Sequence, residues 1–93
     1  MSRRSVHLLI TGRVQGVNYR NWLVEEARRR HLTGWTRNRS GGAVEAVLAG
    51  EAEAVEAVIA ACRQGPPTAR VDSIEVRDTA EPSGPGFSRR PTV

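Results

Sequence analysis

Hydrophobic positions along this chain follow two periods in turn, and the switches between them divide it into elements. Val6, Leu8 and Ile10 alternate with His7, Leu9 and Thr11, the period of two expected of a strand over about residues 5–12, with both faces apolar enough to be partly covered. From Tyr19 to Arg30 the spacing becomes helical: Tyr19, Trp22, Leu23 and Ala27 recur on one side, and Arg28, Arg29 and Arg30 complement the negative end of the dipole. Thr33 and Gly34 place the helix end near His31 or Leu32. Residues 34–39 read as a second strand, Ser40-Gly41-Gly42 as a tight hairpin turn supplied with positive φ by its glycines, and residues 43–49 as the returning strand.

A second helix is predicted over residues 51–63, where Ala52, Val55, Ile59 and Cys62 share a face and the carboxylates gather toward the N-terminal end. Gly65-Pro66-Pro67 stops it. Residues 69–76 carry strand residues with broken alternation, the mark of an irregular or bulged strand, and residues 81–86 have loop composition. Phe87-Ser88-Arg89 leaves a short final strand as an option that three residues do not decide. The order strand, helix, strand, strand, helix, strand is that of the ferredoxin-like split βαβ sandwich, an α+β fold with two helices on one face of an antiparallel sheet.

Length and composition narrow the picture. The 93 residues fit one domain, 1–93, and no apolar run approaches the ~20 residues of a membrane span. The N-terminus enters a strand pattern at once, without a signal-peptide segment, so a soluble, cytoplasmic protein is expected. A single cysteine, Cys62, reads as a small core residue and rules out an internal disulfide. The formal charge is +4 and all 14 basic residues are arginine, which suits an anionic partner without choosing between a small phosphate and a nucleic acid.

Without lysine there is no Walker A loop, Schiff base or catalytic lysine. His7 and His31 stand apart with no cluster of metal-ligand spacing, so no metal and no cofactor are expected, and no serine has the flanks of a nucleophile elbow. Glu25 and Glu26 point in different directions on one helix and read as solvated charges. Asn38-Arg39-Ser40 formally matches a glycosylation acceptor but lacks a secretory context.

What remains is the loop Gly12-Arg13-Val14-Gln15-Gly16-Val17-Asn18-Tyr19-Arg20 between the first strand and the first helix. Gly16 permits close backbone approach, and amides of residues 16–20 entering a helix N-terminus, together with a guanidinium, form a cradle for a small oxyanion. Read alone, the loop serves equally well as an ordinary strand-to-helix turn.

This run, followed by Gly34-Trp35-Thr36-Arg37-Asn38 and then Gly65-Pro66-Pro67-Thr68-Ala69-Arg70-Val71, resembles the acylphosphatase family over roughly residues 6–76. The resemblance implies a ferredoxin-like enzyme that hydrolyses the carboxyl-phosphate bond of acyl phosphates, releasing inorganic phosphate, without metal. It assigns phosphate binding to Gln15, Gly16, Val17, Asn18, Tyr19 and Arg20, and catalysis to Arg20, as phosphoryl clamp, and Asn38, as the group that positions the attacking water. A monomer acting on a small molecule, with no membrane partner, is expected.

The chain departs from the family pattern at Tyr19, where phenylalanine is frequent and a buried hydroxyl needs a partner; at Asn18; at His31, where glycine is frequent at the helix exit; and at Gly41. Other roles stand beside the assigned ones: Arg20 as an ion pair with Glu25 or Glu26, and Asn38 as a hydrogen-bond donor to the 40–42 turn. A competing class, an RNA-binding module on the same fold, has the arginines but only four aromatic residues, two of them on a predicted helix.

Overall fold

The computed structural model describes residues 2–93; Met1, the first residue of the expected 1–93 domain, lies outside the described residues. In chain order the elements are β1 (Arg3–Arg13), α1 (Tyr19–Arg29), β2 (Thr33–Asn38), β3 (Val44–Glu51), α2 (Ala52–Gln64), β4 (Arg70–Asp78) and β5 (Phe87–Arg89). The sheet order is β4-β1-β3-β2-β5. Two helices cover one face, giving the ferredoxin-like arrangement.

Val6, Leu8 and Ile10 of β1 and Val44, Ala46 and Leu48 of β3 are buried beneath Tyr19, Leu23 and Ala27 of α1 and Val55, Val58, Ile59 and Cys62 of α2. Burying such aliphatic side chains contributes roughly 1.5–3 kcal/mol each, and that term fixes which face of each strand meets the helices. Thr36 is the polar member of this core, and its hydroxyl donates to the Glu45 carbonyl at 3.0 Å. Strand β1 runs longer than its alternation indicates because both β3 and β4 pair with it, antiparallel.

The irregularity foreseen in β4 is a bulge. Thr11 faces Ser73 but Gly12 faces Val71, so Asp72 is left over. Gly12 is required there, since a Cβ would lie 2.2 Å from the Arg70 carbonyl oxygen. Strand β5 does form, and it runs parallel to β2, a departure from a wholly antiparallel sheet. The cause is connectivity. β4 and β2 run in opposite directions, so the chain leaving β4 crosses beneath the sheet to the far edge and must start up alongside β2.

Helix α1 closes with Leu32 N–H bonded to Ala27 O (3.0 Å) and His31 N–H to Arg28 O (3.1 Å), the paired bonds of a Schellman motif. His31 occupies the left-handed position, with φ of 58°. The departure noted at this residue is therefore accommodated as backbone strain, with the cap itself intact.

On the open face of the sheet the guanidinium groups of Arg37 and Arg90 lie over the Trp35 ring, 4.7 and 4.6 Å from its centroid. Beside them Glu45, buried to 8% exposure, receives Arg37 Nε at 2.6 Å and lies 2.6 Å from His7 Nε2. Burial pushes the Glu45 carboxyl up, but the bonds from His7 and Arg37 outweigh it and hold the group below the usual carboxylate range.

Candidate active site

The loop after β1 wraps over the end of the sheet where β1 and β2 finish, and α1 starts from it. Asn18 caps the helix in the left-handed region, φ 65°, which asparagine tolerates, and its side chain makes no capping bond to the helix. Its Oδ1 instead accepts from Asn21 Nδ2 at 2.8 Å. The first bond that closes α1 runs from Trp22 N–H to Asn18 O (3.1 Å), so among the described residues the amides of residues 16–21 are left without a backbone acceptor. No acidic side chain stands in the first turn. The positive end of the helix dipole is thus left uncompensated, with its donors free.

Three ties hold this loop in place. Gln15 Nε2 donates to both the Arg39 and the Ala43 carbonyls at 2.8 Å, joining the loop to the β2–β3 turn. Thr68 Oγ1 donates to Val17 O at 3.0 Å, and Tyr19 Oη donates to Cys62 O at 2.7 Å. The Tyr19 hydroxyl thereby has its partner, and burial raises its pKa. Burial likewise pushes the Cys62 thiol up to about 12, which leaves it a core residue with no nucleophilic character at neutral pH.

Gln15, Gly16, Asn18, Tyr19, Arg20 and Asn38 line one cavity of about 200 Å³. Of the residues assigned to phosphate binding, Val17 and Tyr19 send their side chains into the core and Gln15 spends its amide nitrogen on the turn. None of the three has a free side-chain donor for the cavity, and Val17 is not among the residues that line it. Arg20 offers its side chain: among the described residues no carboxylate lies within 4 Å of it, and Glu26 is taken by Arg29 and Arg30. Burial, and next the charge of Arg89, lower the pKa of Arg20. A guanidinium remains a cation under such pressure.

Asn38 ends β2 on the same face as buried Gly34 and Thr36, which is the face that meets the loop. Its Oδ1 is buried and has no hydrogen-bond partner. The hairpin turn closes without it, through Arg39 N–H to Ala43 O (2.8 Å) and Gly42 N–H to Arg39 O (3.2 Å). An unsatisfied buried acceptor costs about 1–3 kcal/mol, a cost that a donor reaching this atom would relieve.

Two residues that sequence reasoning missed also line the cavity, Asn21 and Arg89. Arg89 Nη1 donates to Asn21 Oδ1 at 2.9 Å. Only the pairing of β5 with β2 brings Arg89 here, and no local pattern in the final residues announces it. Among the described residues there is no group of three or more His, Cys, Asp or Glu side chains arranged to hold a metal ion, and no helix is long and apolar enough to cross a membrane.

Comparison with known proteins gives the same direction from three sides. The acylphosphatase family model matches residues 6–88. The chain is 54% identical over 84 residues to an acylphosphatase of Rhodospirillum rubrum, covering 90% of this chain and 92% of that one. Its fold superposes on the structure of an acylphosphatase from Coxiella burnetii with a TM-score of 0.90 at 31% identity, covering 95% and 93% of the two chains. The acylphosphatase of Bacillus subtilis gives 0.87 at 33% identity, covering 92% and 97%.

Proposed function

From a chain that belongs to the acylphosphatase family, and so is an enzyme that hydrolyses acyl phosphates, we propose a division of labour in which the β1–α1 loop holds the phosphoryl group, Arg20 clamps it and Asn38 aims the water. The observation that carries this reading is that Asn38, whose buried Oδ1 has no partner, lines one cavity with Arg20 and with residues whose amides have no acceptor. Gln15, Gly16, Val17, Asn18, Tyr19 and Arg20 line the phosphoryl group through backbone N–H groups, and the Arg20 fork takes two of its oxygens.

The chemistry suits so sparse a set of groups. Water bound to Asn38 Oδ1 turns a lone pair toward phosphorus. As its oxygen bonds to phosphorus, the bond from phosphorus to the acyl oxygen breaks and the electron pair leaves with the carboxylate. A carboxylate is a stable leaving group and needs no general acid. The water's proton passes to a phosphoryl oxygen, giving inorganic phosphate. Charge builds on the equatorial oxygens, where the amides and Arg20 already stand, so positioning and electrostatics do the catalysis. The Arg20 guanidinium supplies the positive charge, and the reading is metal-independent.

A cytoplasmic monomer of residues 1–93, working as one domain on small acyl phosphates, completes the reading. The open sheet face supports leaving nucleic acid out, because Arg37 and Arg90 both place guanidinium groups over the Trp35 ring, 4.7 and 4.6 Å from its centroid, where a base would have to stack. The test is hydrolysis of benzoyl phosphate in chelator. Arg20→Ala and Asn38→Ala are each expected to lose about 10² to 10³ in kcat, the usual effect of removing one oriented electrostatic contact. Full turnover in both variants would overturn the roles, and dependence on added metal would overturn the mechanism.

A further inference from the structure

Arg89 is a second guanidinium in the cavity, and holding one phosphoryl group does not require it. Its position follows from the strand pairing. Arg89 stands opposite Thr36 in the β2–β5 ladder, so both side chains leave the sheet on the same side. Thr36 is fully buried on the helix-covered face. Arg89 therefore projects toward the first turn of α1, where Asn21 receives it at 2.9 Å. It is exposed, whereas Arg20, one residue before Asn21, is partly buried. Arg20 lies inward and Arg89 at the mouth.

What sets this pair apart from the other arginines without a carboxylate among the described residues, Arg13, Arg28, Arg63 and Arg90, is that the two line one cavity. Arg3, Arg4 and Arg37 each end on a carboxylate. Among the described residues neither Arg20 nor Arg89 has one within 4 Å, although both line the same cavity of about 200 Å³. Two like charges kept together without a counter-ion leave the mouth primed for a second anion beyond the one Arg20 receives. Loop amides and Arg20 account for the phosphoryl oxygens, and the acyl half of the substrate must extend from them past the exposed rim.

Resting on the reading of the loop as the phosphoryl site, we infer that Arg89 selects acyl phosphates whose acyl half carries a carboxylate of its own, the monophosphates of dicarboxylic acids. A guanidinium already oriented by Asn21 meets that carboxylate at reduced entropic cost and gives a charge-assisted hydrogen bond.

The experiment compares kcat/KM for succinyl phosphate, which has the extra carboxylate, with that for benzoyl phosphate, which lacks it. In Arg89→Gln the ratio of the two is expected to fall about tenfold, through KM for succinyl phosphate, the scale of losing one charge-assisted contact at a half-open site. Arg89→Glu lowers the ratio further, because repulsion replaces attraction, and Arg89→Lys restores part of it. An unchanged ratio in Arg89→Gln overturns the inference. So does an equal loss on both substrates with weaker inhibition by inorganic phosphate, which would place Arg89 on the phosphoryl group itself. Failure of the underlying reading shows separately, as undiminished turnover of benzoyl phosphate in Arg20→Ala.

Discussion

Single side chains in this molecule divide between those proposed to meet substrate and those that hold others in place, and Gln15 shows the difference. The resemblance places it among the phosphate-binding residues, yet its carboxamide nitrogen bonds the Arg39 and Ala43 carbonyls, so its side chain joins the loop carrying the amides to the strand end carrying Asn38. The two halves of the site come from segments more than 15 residues apart, and this is a direct polar tie between them. Gln15→Leu removes both bonds and lets the turn shift relative to the loop. We expect kcat for benzoyl phosphate to fall about tenfold through misplacement of the water, with a smaller change in the inhibition constant of inorganic phosphate, whose amide donors remain. An inhibition constant that weakens as much as kcat falls would instead show the side chain on the anion. No reading of the sequence could assign these partners, because a glutamine has two donors and two lone pairs and only the fold says what lies within reach.

Among the elements, α1 shows how local sequence and tertiary demand can disagree. Its apolar spacing and its basic last turn define the helix, but its exit needs a residue in the left-handed region and the chain supplies His31 at φ 58°. A non-glycine residue there costs about 1 kcal/mol or more, and the histidine side chain is exposed. His31→Gly is therefore expected to stabilise the protein by roughly 0.5–1 kcal/mol, after the entropy that glycine adds to the unfolded chain. In a domain of this size that raises Tm by a few degrees, measurable by thermal or urea unfolding. An unchanged or lower Tm would mean that the imidazole makes a stabilising contact. The other end of α1 follows the opposite logic, since its first turn keeps its amides and dipole uncompensated, as the proposed anion site requires.

At the scale of the whole molecule, the two faces of the sheet have separate duties, the helix side carrying the core and the proposed active site and the open side carrying a charged lattice centred on Glu45. That carboxylate is held below its usual pKa by His7 and Arg37 despite its burial. A carboxyl with a depressed folded-state pKa contributes stability that is present above its unfolded value and disappears as pH falls through the folded one. Stability should thus decline below about pH 4.5, and in Glu45→Gln this part of the acid limb should be missing, so that the two proteins differ most near neutral pH and converge in acid. Urea unfolding from pH 3 to pH 7 checks it, and curves that stay parallel throughout would assign the acid loss to other groups. Much of this architecture was legible beforehand. Period-two and helical spacing located the strands and helices, Gly65-Pro66-Pro67 ended α2, and the broken alternation after it announced the bulge, because each of these reports a local steric or burial constraint written into neighbouring residues. The loop glycines, Arg20 and Asn38 were nameable for the same reason, as motifs that survive in linear order. What tertiary structure alone decided is what depends on which segments become neighbours: that β5 forms and runs parallel to β2, that Asn38, its buried oxygen partnerless, lines the same cavity as the loop, that Gln15 spans the gap between them, and that Arg89 joins that cavity's lining. Sequence encodes propensities over a few residues, whereas pairing across the sheet is settled by the shared core and by the chain's path around it, and the site lies where those two meet.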